Sequence, residues 1–146
     1  QLARLDPRFD MAMSEVGLPE QSVVGGETRG ELSPDGHYWL NAAANGVPAR
    51  FLVDTGASQV VLSHADAERA GIDTDKLAYL GRAQTANGEV RTAYVRLDEV
   101  ELGGVRDTDV PAVVNEGEMR QSLLGMGYLQ RWGRIEITNG ELILTR

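Results

Sequence analysis

The chain contains no cysteine. That removes a disulfide framework, a thiolate nucleophile and thiolate metal sites, and it suits a reducing or an oxidising compartment equally. A basic excess is missing too: 14 Lys and Arg stand against 22 Asp and Glu, for a net charge of −8. Such a chain repels a phosphate backbone, which argues against nucleic acid as a partner. No apolar run approaches the roughly 18 residues of a membrane span, and no signal peptide is visible. His37 and His64 belong to no H-E-x-x-H pattern, so neither a metal nor any other cofactor is expected. The acid pairs Asp73/Asp75 and Asp107/Asp109 lack the later Gly and Glu of a calcium loop and read as turn and surface acids. Ser58 and Ser63 sit in no G-x-S-x-G context and are not nucleophile candidates.

What is present is enough apolar residue for one domain: 42% of 146 residues. Residues 1–36, rich in Gly, Pro, Ser and Glu toward their end, read as a flexible N-terminal arm or linker, with the domain over 37–146. The domain reads as β. Asn45-Gly46, Asn87-Gly88 and Asn139-Gly140 each lie between extended segments. Asn-Gly in that setting marks a two-residue hairpin, because a type I′ turn needs positive φ at both central positions. Two short helices interrupt the strands. Ser63 caps "HADAERA", with Asp66 as capping-box partner and Gly71 closing it; "GYLQRW", 127–132, is the second. His64 is expected to be solvated on the first helix, and Trp39 and Trp132 read as core or interface aromatics. The C-terminal "ELILTR" places Leu142, Ile143 and Leu144 in a row, a hazard on a bare edge, so it is expected to pair with a second copy across a two-fold axis.

The stretch "FLVDTGASQVVLS", 51–63, carries an ionisable carboxylate between two strand-like apolar segments. Asp-Thr-Gly by itself is a common surface turn. A solvated turn does not need Phe51, Leu52 and Val53 before it and Val60, Val61 and Leu62 after it. A fainter echo follows downstream, where apolar "SLLGMG" repeats the pattern of "FLVDTG".

At Phe51 to Ser58 the chain resembles the aspartic proteases of the retroviral type, and most closely the single-domain retropepsin-like proteases of bacteria. "SLLGMGYL", 122–129, stands where that family carries an apolar pair and Gly: Leu123, Leu124 and Gly125. The resemblance covers roughly 37–146. It implies an all-β acid-protease barrel with one or two short helices, half an active site per chain, and Asp54 as the catalytic residue in an active-site loop with Thr55, Gly56 and Ala57. It makes Ala86, Asn87 and Gly88 the flap. Two carboxylates in contact share one proton, because both cannot ionise together. The chain has one Asp-Thr-Gly, so a dyad requires a homodimer, acting on a peptide in extended conformation. Thr55 would reach across the dimer, and Gly56 would let the loops approach and turn its amide to the carboxylate. Ala57 stands where many pepsin-like enzymes carry Ser, so a hydroxyl that could hydrogen-bond the carboxylate is missing. Met126 and Gly127 depart from the Arg and Asn or Asp of retroviral enzymes, which removes their Arg-centred ion-pair network. Bacterial relatives imply a periplasmic domain tethered to the inner membrane by a segment upstream of Gln1. The other readings are a non-catalytic dimeric peptide-binding module on the same fold, and an unrelated monomeric β-barrel with Asp54 exposed.

Overall fold

The computed structural model describes residues 21–85 and 88–146. Local turn chemistry accounts for its hairpins. Asn45 and Gly46, with φ of 51° and 81°, join β3 (Trp39–Ala44) to β4 (Val47–Val53). Asn139 and Gly140, at 50° and 73°, join β10 (Arg134–Thr138) to β11 (Glu141–Thr145). Both are the positive-φ pairs that a type I′ turn requires. Thr85 and Gly88 face each other where β6 (Gly81–Thr85) meets β7 (Gly88–Leu102). Ala86 and Asn87, expected at that tip, lie outside the described residues. A further turn that the Asn-Gly pattern does not mark is Gly103-Gly104, at 60° and 79°, between β7 and β8 (Val105–Asn115).

Seven strands form one sheet in the order β3-β4-β9-β5-β8-β7-β6, where β5 is Val60–Leu62 and β9 is Ser122–Leu124. An extra pairing of β3 with β7, Ala43 to Glu101 and Ala44 to Val100, closes it into a barrel. The alternating burial of β3 puts Leu40, Ala42 and Ala44 inside, where they join Phe51, Leu62, Leu97 and Leu124. Each fully buried Leu or Phe contributes on the order of 2 kcal/mol. The expected mainly-β barrel is what the chain forms, with two short α-helices among the described residues. The first helix, α1 (His64–Arg69), is capped as read, with Ser63 Oγ accepting from the Asp66 amide at 3.1 Å. The second, α2 (Met126–Leu129), starts one residue before the expected 127–132. Its continuation to Trp132 tightens into i→i−3 bonds, Arg131 N to Tyr128 O and Trp132 N to Leu129 O.

The N-terminal expectation is corrected in part. Residues 1–20 lie outside the described residues, but Gln21–Val24 (β1) and Glu27–Glu31 (β2) are strands, not linker. They belong to a four-stranded sheet, β1-β2-β11-β10. This also overturns the reading of the C-terminal strand as a bare edge. β11 pairs with β10 on one side and β2 on the other, Leu142 lying opposite both Ile137 and Gly30. Leu142, Ile143 and Leu144 are all buried. A strand apolar on both faces belongs inside a sheet, and the partner that covers it comes from 112 residues upstream.

Trp132 Nε1 donates to Tyr128 Oη at 3.1 Å inside this core. Burial pushes the Tyr128 phenol up to about 12, against the Trp132 hydrogen bond that lowers it. The folded chain thus holds this proton more tightly than the unfolded chain. The resulting stability is fully present below the ordinary value near 10 and is lost as pH rises toward 12, a change on the order of 2 kcal/mol. Chemical denaturation from pH 9 to 12 should show that decline, and Tyr128→Phe should flatten most of it. Tyr79, also raised chiefly by burial, leaves a residual slope.

Candidate active site

The two echoing segments lie side by side. β4 and β9 run parallel, with Phe51, Leu52 and Val53 opposite Ser122, Leu123 and Leu124. β9 also meets β5 at Val61 and Leu123, so it threads between the two strands that flank Asp54. At the end of β4 the Asp54 amide donates to Leu124 O at 3.0 Å, and the Ala57 amide closes a turn onto Asp54 O at 3.1 Å. The Gly56 amide donates to Asp54 Oδ1 at 2.9 Å, as the expected turning of this amide to the carboxylate requires. A Cβ at Gly56 would stand 3.2 Å from that oxygen, tight enough to disturb it. Asp54 is half-buried, while Thr55 and Gly56 are exposed.

The second loop docks against the first through its backbone. Met126 N donates to Ala57 O at 2.8 Å and Gly127 N to Ser58 O at 2.9 Å. A Cβ at Gly125 would lie 2.3 Å from Gln59 O, and one at Gly127 2.6 Å from Ser58 O. The residues that depart from the retroviral pattern thus tie the loops by main-chain bonds, and Gly127 supplies the room. Leu124 and Gly125 are buried; Leu123 is half-buried and faces a cleft.

The cleft, of about 1120 Å³, has Asp54 and Leu123 on its wall together with His64, Gln84, Thr85 and the 115–121 loop. His64 is therefore not simply solvated. It is half-buried, and its Nε2 lies 3.1 Å from Tyr79 Oη, stacked on that ring at 6.1 Å. Tyr79 donates its own proton to Thr74 O at 2.9 Å, which leaves the Tyr79 oxygen to accept from His64.

Ser122, 59 residues from Ser63, is inserted into the expected capping box. Its Oγ accepts from the Ser63 amide at 3.1 Å and donates to Asp66 Oδ2 at 2.5 Å. Arg69 completes the shell of the buried Asp66. A capping-box acid would reach back to the Ser63 amide itself; here a hydroxyl from β9 takes that place and fastens α1 to the strand beside Asp54. Sequence reading missed Ser122, because a lone buried Ser carries no local signal. It also missed the 115–121 loop, whose charges look like an ordinary solvated turn.

The remaining candidates have other work. Asp73 Oδ1 accepts from the Asp75 amide at 3.3 Å, at the start of a 3₁₀ turn. Buried Asp107 receives Arg146 at 2.5 and 3.1 Å, and the Arg146 guanidinium lies 5.2 Å over Trp132. Trp39 is half-buried under the Arg50 guanidinium at 4.1 Å. The His37 amide donates to Asp35 at 2.9 Å.

A family model described as aspartyl protease matches residues 40–128, more than half the chain, from β3 through both loops. The chain belongs to the aspartyl protease family. It is 40% identical over 112 residues to an uncharacterized protein of Rickettsia prowazekii, covering 77% of this chain and 48% of that one. It is 36% identical over 111 residues to an uncharacterized protein of Sinorhizobium, covering 75% and 48%. The chain thus spans about half the length of the curated relatives it matches. Among solved structures, a retropepsin-like aspartic protease from Rickettsia conorii superposes with a TM-score of 0.76 at 38% identity, over 86% of this chain and 94% of that one. The EIAV protease in complex with an inhibitor shares the fold at 20% identity and a TM-score of 0.58, over 72% and 96%. The fold of this aspartyl protease family member is therefore the retropepsin-like one that the Asp-Thr-Gly loop and the apolar-pair Gly together imply.

Proposed function

We propose that the chain is an aspartic endopeptidase whose active unit is a homodimer, each copy supplying its Asp54 to one shared dyad. The observation that carries this reading is the setting of Asp54: one carboxylate, fixed by Leu124 O and the Gly56 amide, at the wall of an open cleft. Half a site is what one chain offers, since a lone carboxylate cannot both activate water and protonate a leaving amine. In the pair, the ionised Asp54 takes a proton from water while the protonated one donates to the scissile carbonyl. The water oxygen bonds to the carbonyl carbon to give a gem-diol. The new proton on the first Asp54 then passes to the departing nitrogen as the C–N bond breaks, while the second takes a proton back from a gem-diol hydroxyl, restoring the shared-proton state. In this reading Thr55, which is exposed, bonds the partner's loop, and the substrate lies extended beneath the β6–β7 hairpin, whose Gly88 belongs to the flap. Location in the periplasm, with a membrane tether upstream of Gln1, is part of the same proposal and rests on resemblance to bacterial relatives.

Incubating the purified chain with a random-sequence peptide library, and reading the products by mass spectrometry, tests this. Internal cuts that vanish in Asp54→Asn are the expected result. Retention of library peptides without cleavage, by a well-folded dimer, would instead identify a peptide-binding module.

A further inference from the structure

The β7–β8 ladder ends at Thr92 and Asn115, and there the two strands part. β7 leads back into the hairpin with β6, and β6 brings Gln84 and Thr85 to the cleft. The other strand turns into the 115–121 loop, which lines the cleft from the side. Three contacts hold this fork. The Glu116 amide donates to Arg91 O at 2.9 Å, extending the ladder by one bond. The Arg91 guanidinium grips the Glu116 carboxylate twice, Nε to Oε1 at 2.9 Å and Nη2 to Oε2 at 3.1 Å. Gly117 lies so close to Val90 that a Cβ would stand 2.9 Å from Val90 Cγ1, and its amide is turned back onto Asn115 Oδ1 at 2.7 Å.

We infer that the Arg91–Glu116 pair is a latch at the base of the β6–β7 hairpin, making these two positioning residues that set how the hairpin stands over the cleft. A two-point Arg–carboxylate grip fixes orientation as well as distance. It sits just past the last rung of the β7–β8 ladder, so a small rotation there is carried out along the hairpin to Gln84 and Thr85. The two side chains are 61% and 37% exposed, so salt screens the grip. The consequence for substrate binding rests on the peptidase reading; the mechanical role does not.

The test therefore has two arms. In hydrogen exchange read by mass spectrometry, Arg91→Ala and Glu116→Ala should each speed exchange over 81–85 and 88–92 by about threefold, the size expected of an exposed pair. The β10–β11 peptides should not change, and the swap Arg91→Glu with Glu116→Arg should recover most of the protection. Arg106→Ala, which removes the 3.3 Å pair with Glu99 at the far end of the same ladder, should leave the hairpin as it was. In the kinetic arm, on a peptide that the wild type cuts, either single variant should raise KM about threefold with less effect on kcat. The wild-type KM should climb with salt, and the variants should lose that dependence. Wild-type hairpin exchange in both single variants would overturn the latch, whatever the chain does to peptides. Altered exchange with unchanged KM and salt response would overturn its role in substrate binding alone.

Discussion

Dimers that pair a wild-type chain with an Asp54→Asn chain should be inactive. If the two are unfolded together and refolded so that subunits combine at random, peptide cleavage should follow the square of the wild-type fraction. At an equal mixture about a quarter of the activity should remain, against about a half if each chain worked alone, because random pairing in a two-fold dimer leaves only that share with two carboxylates. Asp54→Asn is nearly isosteric, and the Gly56 amide at 2.9 Å still finds an oxygen on the new side chain, so the fold should survive. What the substitution removes is the ability to take and return a proton, and neither half of a dyad suffices without the other. A linear fall in activity, with random pairing verified by mass spectrometry, would eliminate the shared dyad.

The second large effect belongs to Gly125→Ala. The backbone here is extended, with φ at −92°, so an alanine is not strained by conformation. It is excluded by space: the added Cβ would stand 2.3 Å from Gln59 O and 2.7 Å from Ala57 O. Both neighbours are main chain and cannot swing aside. Either the 54–59 loop or the start of α2 must move, which should lower stability by about 3 kcal/mol in chemical denaturation. Asp54 hangs on the same loop through Leu124 O and Ala57 N, so cleavage should fall with it. Gly133→Ala, where the nearest atom is 3.6 Å away and φ is not positive, should stay within about 0.5 kcal/mol of the parent. A Gly125→Ala chain as stable as the Gly133→Ala chain would mean that the two loops are not packed as described.

Both of these sites are marked in the sequence by local patterns. The Asp-Thr-Gly between apolar flanks is a local pattern, and so are the Asn-Gly turns at 45–46 and 139–140 and the Ser63 cap. Each follows from the conformational preferences of a few adjacent residues, which travel with the chain wherever it folds. The apolar echo at 122–127 belongs here too: its likeness to 51–56 hinted at kinship between two strands, and those strands prove to be parallel neighbours.

The sequence by itself therefore determined the hairpins at 45–46 and 139–140, the first helix, the mainly β class and the position of the acidic loop. Tertiary structure decided what lies beside what. A period of two identifies a strand and its buried face but not its edge partners, so β11 read as bare when β2 covers it. Ser122 enters the Ser63 cap across 59 residues, and Glu116 meets Arg91 across 25. His64 reaches the cleft wall because α1 is fastened to β9 by that same Ser122. Such contacts depend on which distant backbone bonds form and where the barrel closes, and no short window of residues encodes that choice.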